Sequence, residues 1–256
     1  MQLGLMNNPR VDPVSEIDFF ASHGFDFVDL TLEFPESHIS IIDQKAVLTK
    51  IRESGLGVIG HTTYYLPFAS PINRIREAAI ADVVETLKFF KQAGARLVTV
   101  HPDPGVGAID ARTTIGLNAM SFKIISDEAR KHDLTIMVEN VPGMFSSPEA
   151  LREIFNQVPE LGFHLDVGHA FIGRDRFKHL LTQFRERLMH VHLSDNRMQE
   201  DDHMPLGAGN IKWEQVIPNI KATGYDGTFT LEVFSVDRRY VLASRDKFVE
   251  VWGKSG

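Results

Sequence analysis

The chain has 256 residues, 43% hydrophobic and 24% charged, the balance of a soluble globular protein with a sizeable core. Its formal net charge of −7 argues against broad binding of nucleic acid. The absence of cysteine excludes disulfides and thiolate metal sites and fits a cytoplasmic enzyme. No apolar run approaches the ~20 residues that span a bilayer, so no membrane partner is expected.

In chain order, short strand-like runs alternate with longer amphipathic stretches about eight times. Strands are predicted at Gln2–Met6, Phe27–Leu30, Gly57–Gly60, Leu97–His101, Thr135–Glu139, Gly162–Asp166, Met189–Leu193 and Thr228–Glu232. Helices are predicted at Val14–Ser22, Asp43–Glu53, Arg74–Gln92, Arg112–Lys131, Pro148–Asn156, Arg176–Arg185, Trp213–Ala222 and Asp237–Val251. Eight strand–helix repeats without a linker predict one α/β domain over 1–256, a (β/α)8 TIM barrel. A doubly wound open sheet is the alternative, but no Gly-rich dinucleotide fingerprint follows the first strand.

The ends of the predicted strands carry the chemistry. His61 follows the third, His101 ends the fourth, Glu139 the fifth, Asp166 the sixth and Glu232 the eighth. His169 lies one short turn beyond Asp166, His192 lies in the seventh strand, and Asp201 and His203 follow it. In a barrel these ends converge on one mouth, where active sites of this architecture lie. Alternation points Thr99 and His101, Met137 and Glu139, and Thr230 and Glu232 inward, with Phe229 and Leu231 toward the helices. A lumen so polar at its top needs something to satisfy its acids. Imidazole and carboxylate ligands suit a divalent ion such as zinc or manganese. Taken singly, His61 or His101 reads first as a hydrogen-bonded structural histidine and Asp166 first as a helix cap, and Glu232 reads also as half of an ion pair. The recurrence of nine such groups in phase with eight strands favours the metal. His164 and His190, also inward, are read as supporting or packing residues.

Several segments then resemble a known family, the xylose-isomerase-like TIM barrels. They are Val-His-Pro (100–102), Val-Glu-Asn-Val-Pro (138–142), Leu-Asp-Val-Gly-His-Ala (165–170) and His-Val-His-Leu-Ser-Asp-Asn (190–196), followed by 201–213 and Gly-Tyr-Asp-Gly-Thr-Phe-Thr-Leu-Glu (224–232). The resemblance implies one of two chemistries. In the sugar and sugar-phosphate isomerase/epimerase branch, one divalent ion is held by residues matching Glu139, Asp166, His192 and Glu232. The two glutamates then exchange protons through a metal-bound enediolate, and His169 contacts a substrate oxygen. In the endonuclease-IV-like branch, three zinc ions take nine ligands, matching His61, His101, Glu139, Asp166, His169, His192, Asp201, His203 and Glu232, for phosphodiester cleavage at abasic sites. Tyr64 there resembles a DNA-contacting tyrosine.

The loop Thr31–Glu36 is short and acidic, unlike a DNA-gripping loop, and the wording of the last two segments is closer to the epimerase branch. The expectation is therefore a metal-dependent isomerase or epimerase acting on a small sugar or sugar phosphate, with one to three ions; DNA is the second reading. Arg197 is expected to hold a substrate phosphate or carboxylate, or else to be a solvated surface arginine. Phe34, Tyr65, Phe68 and Trp213 lie near mouth loops, as pocket walls or as ordinary loop packing. Asp29 and Glu33 are additional polar lining.

Overall fold

The structure, a computed structural model, describes residues 1–255. Eight parallel strands close into a barrel in sequence order: β1 Gln2–Met6, β2 Phe27–Thr31, β3 Gly57–His61, β4 Leu97–Val100, β5 Thr135–Glu139, β6 Gly162–Asp166, β7 Leu188–Leu193 and β8 Thr228–Leu231. The predicted strands hold to within a residue at either end; the pairing runs out just before His101 and Glu232. Around them lie helices α1 Pro13–Ser22, α2 Gln44–Ser54, α3 Asn73–Ala93, α4 Ala111–Arg130, α5 Pro148–Gln157, α6 Val167–Phe171, α7 Phe177–Phe184, α8 Trp213–Lys221 and α9 Arg239–Lys254. None is long and apolar enough to cross a membrane.

Local chemistry starts and stops these helices. Asp12, Asp43 and Asp110 accept backbone N–H bonds from Val14, Ala46 and Thr113, satisfying donors that the first turn leaves free. Gly55 and Gly94 end α2 and α3 in the left-handed conformation. Helix α6 has no counterpart in the sequence reading, because five residues are too few to show a period. It exists because Asp166 accepts from the His169 N–H at 2.5 Å. The capping role and the mouth position of Asp166 therefore coincide.

The main apolar core lies between strands and helices. Phe229, for example, packs on Phe248 and Trp252 with ring centroids 5.0 and 5.2 Å away. The lumen is a separate, graded column. Its floor is a small apolar plug of Phe27, Ile59 and Met137, against which Leu97 rests. A Cβ on Gly4 would sit 2.3 Å from the Phe27 ring, so a residue without a side chain stands there. Above the plug the same inward-facing registers carry Asp29, Thr99, His164, His190 and Thr230, all fully buried. A register irregularity at Phe163/His164 sets His164 beside His190 and Asp166 beside His192.

Candidate metal centre

The strand ends bring all nine predicted residues into one connected cluster. On its first side, His61 Nε2 lies 3.2 Å from His101 Nε2, and Glu139 Oε2 lies 3.8 and 3.0 Å from these two atoms. Ligand atoms on a tetrahedral zinc ion with bonds of about 2.0–2.1 Å stand roughly 3.3 Å apart, so this spacing fits. In the centre, His192 Nδ1 is 3.0 Å from Glu232 Oε2 and 3.9 Å from Asp166 Oδ2. Glu139, Asp166 and His192 also converge closely enough to share one ion. On the far side, Asp201 Oδ2 is 2.9 Å from His169 Nε2 and 3.4 Å from His203 Nε2, and His203 Nε2 reaches Glu232 Oε1 at 3.0 Å.

Two observations show that these residues suit a cation. Glu139 Oε2 and Asp166 Oδ2 are buried acceptors that no donor satisfies, although histidine nitrogens stand close by. Buried polar atoms are rarely left so. The acids also crowd one another. Burial, opposed in part by His169 and reinforced by Glu232, Glu139 and Asp201, pushes Asp166 up to about 7. Burial disfavours a charged ring at His203, yet Glu232 and Asp201 outweigh it and carry that histidine up to about 9. His169 and His192 are likewise raised well above the ordinary histidine value, against burial, by Asp166 and Asp201 and by Asp29 and Glu232 respectively. Without metal, protons on these rings balance the carboxylates, and a divalent ion would take their place.

A cavity of about 690 Å³ opens over the cluster. Its polar wall includes Glu33, His61, His101, Glu139, His169, Asp201, His203 and Glu232; its apolar wall includes Met6, Tyr64, Pro102, Val141 and Phe234. Tyr64 is 61% exposed at the rim. Arg10, in the loop after β1, is the cavity's one guanidinium, and no motif in the sequence points to it.

Other expected lining residues lie elsewhere. Phe68 is fully buried against Phe122, and Trp213 is buried with its Nε1 donating to Asp195 Oδ2 at 2.8 Å; both are packing residues, not pocket walls. Asp195 also accepts from the backbone of Asn196, Gly207 and Ile211, so the Ser-Asp-Asn segment folds the long loop after β7 around one carboxylate. The Arg197 side chain is 66% exposed, sits outside the cavity and faces Asp202 at 3.5 Å, which corresponds to the surface reading. Tyr65 is half exposed beside Tyr64, and Phe34 stacks on His38.

Glu33 lines the mouth, as expected, with burial raising its carboxyl above the usual range. Asp29 is more than lining. It sits fully buried beneath the mouth and touches three histidines; the alternation Phe27, Asp29, Thr31 was the signal that could have placed it in the lumen.

Among known proteins, the L-ribulose-5-phosphate 3-epimerase UlaE of Salmonella heidelberg is 21% identical over 230 residues, 83% of this chain and 78% of its own. The probable endonuclease 4 of Aquifex aeolicus is 26% identical over 192 residues, 67% of this chain and 68% of its own. Among solved structures, a D-tagatose 3-epimerase-like protein superposes with a TM-score of 0.88 at 22% identity, covering 99% of both chains. Residues 17–250 match the family described as xylose isomerase-like TIM barrel, and the chain belongs to that family.

Proposed function

We propose that the protein is a divalent-metal-dependent epimerase or isomerase of a small sugar or sugar phosphate. The observation that carries this reading is the mouth itself. It is a cavity of small-molecule size whose walls hold four carboxylates, Glu33, Glu139, Asp201 and Glu232, against one guanidinium, Arg10. A surface built for a nucleic-acid backbone would carry the opposite balance of charge. The resemblance to UlaE and to the tagatose-epimerase-like structure supports the same reading.

Glu139, Asp166, His192 and Glu232 would hold the catalytic ion. When bound, it would polarise a substrate carbonyl and acidify the adjacent C–H. Glu139 and Glu232 stand on β5 and just past β8, so they approach the bound sugar from different sides of the mouth. One glutamate removes the proton and the other returns one to the opposite face, which inverts the carbon. His203, 3.0 Å from Glu232 Oε1, and His169, 3.1 Å from Glu139 Oε1, are placed to hold or exchange the proton each glutamate carries. The walls of Tyr64, Val141 and Phe234 exclude water from the carbanion-like intermediate.

A second reading has its own observation. The His169–Asp201–His203 group exceeds what a single ion needs and matches a multi-zinc phosphodiesterase. One experiment separates the two. The protein loaded with manganese or zinc is incubated with ketoses and their phosphates in D2O, and separately with a duplex bearing an abasic site, with metal counted by elemental analysis. Deuterium entry next to the carbonyl, together with epimer, is expected. Three zinc ions per chain with strand cleavage and no C–H exchange would replace this reading by the second.

A further inference from the structure

The lumen of a (β/α)8 barrel is ordinarily packed with branched apolar side chains. Here a carboxylate, Asp29, stands inside it, fully buried and with no lysine or arginine among its contacts. Its Oδ2 receives His192 Nε2 at 2.7 Å, Thr230 Oγ1 at 2.9 Å and His190 Nε2 at 3.0 Å. Its Oδ1 lies 3.5 Å from His61 Nδ1. Burying an anion here is costly unless its partners answer it. An Asn would tie the same strands together without that cost, so the charge itself needs a reason.

That reason lies in the ring it touches. An ionised carboxylate only accepts, so His192 must carry a hydrogen on Nε2. A neutral His192 then has its lone pair on Nδ1, the nitrogen that faces Glu232 and Asp166 in the mouth. We propose that Asp29 is the positioning residue of the metal centre: it fixes the tautomer and tilt of His192 from below, so that Nδ1 is presented to the ion as a ready ligand. This rests on the reading of the mouth as a metal site. Carboxylate–histidine–metal relays raise ligand basicity and hold the ring in place. His190 steadies the carboxylate in turn, its Nδ1 lying 2.8 Å from Thr228 Oγ1. Asp29, His190 and Thr228 do not line the cavity, so Asp29 acts on the reaction through the rings it touches, by hydrogen bond to His192 and more distantly beside His61.

Two measurements test this without using turnover. Long-range ¹H–¹⁵N spectra of the zinc-loaded, histidine-labelled wild type, with His192 assigned, are expected to show an Nε2–H tautomer with Nδ1 on the metal. Zinc affinity is then measured by competition with a chromophoric chelator for wild type, Asp29→Asn, His192→Gln and the double variant, with folding of each metal-free chain followed by circular dichroism. Asp29→Asn is expected to weaken, by about 10–100-fold, the zinc that His192→Gln also weakens, and to add less than about twofold in the His192→Gln background. An Nδ1–H tautomer for His192, or equal losses from Asp29→Asn in both backgrounds, would overturn the role of Asp29. So would an unchanged affinity in Asp29→Asn. A wild-type chain that takes up no divalent ion would overturn the metal reading as well. If Asp29→Asn does not fold, the tautomer in the wild type decides.

Discussion

The two ends of the barrel lumen are built from the same registers of the same strands and are opposite in chemistry. At the floor, Phe27 and Met137 fill the space as apolar plugs; two residues along the same strands, Asp29 and Glu139 are buried charges. On the proposed function, reactivity belongs to the mouth, while the floor serves packing. The mouth holds its acids and histidines by mutual pairing that leaves acceptors unsatisfied, whereas the floor is held by apolar packing. Variants at the two ends should accordingly move different observables.

The largest effects belong at the mouth. Glu139→Gln and Glu232→Gln should each lower kcat by about 10²–10⁴-fold, the range of a lost general acid or base, as read by deuterium exchange into the sugar. Both variants should stay folded, because Gln preserves shape and removes a charge from a crowded set. Full activity in either would break the assignment of chemistry to this end.

Removing metal should expose the same asymmetry through pH. Asp166, pushed up to about 7, stabilises the metal-free fold at pH below its ordinary 3.8, a contribution lost as pH rises through about 7. His203, carried up to about 9, contributes fully below its ordinary 6.5 and loses that contribution as pH rises through about 9. Both signs agree: the chelated protein loses stability from the mouth between pH 4 and 9, while metal binding, which displaces these protons, grows stronger. The difference in Tm between loaded and chelated protein should therefore widen with pH. A difference that is flat across this window would mean that the cluster does not carry the ion.

How much of this was legible in the sequence differs between the ends. The eight strands were legible because strand-like runs alternate with amphipathic stretches, and the nine mouth residues because the third to eighth strands each carry or run into a titratable residue. The alternation Phe27, Asp29, Thr31 marks Asp29 as inward, but the sequence does not show that it meets His192 and His190, which lie more than 160 residues away along the chain. Phe68 and Trp213 lie in or beside loops that follow strands yet turn down into the core, since a place in a loop fixes no direction. Arg10 stands in a short loop with no periodicity to mark it. The number of ions was not legible either, because the same nine residues serve one ion or three.

At the floor the expected losses are of stability, not chemistry. Met137→Ala removes a fully buried side chain from the plug beneath Glu139 and should cost about 2–5 kcal/mol in chemical denaturation. The zinc stoichiometry of the folded fraction should not change, since Glu139 is anchored by β5 pairing to β4 and β6. Lost metal binding at preserved stability would show that the two ends are coupled.

The smallest effect lies at Tyr225, just before β8. Its hydroxyl accepts from the Thr228 N–H at 3.0 Å and lies 2.9 Å from Met189 O, bridging the starts of β7 and β8. Burial, only partly opposed by the hydrogen bonds from Thr228, pushes its phenol up to about 12. The folded state thus binds this proton more tightly than the unfolded chain, whose phenol titrates near 10. Its contribution is complete below pH 10 and lost as pH rises toward 12. Tyr225→Phe should cost about 0.5–1.5 kcal/mol at neutral pH, the net worth of one hydrogen bond, and should flatten the alkaline edge of the stability profile. Zinc affinity should be untouched. A variant that keeps the wild-type alkaline edge would assign that edge to another group, and one that loses zinc would show that the pairing of β7 with β8, which sets His192 beside Thr230, is what holds the mouth in register.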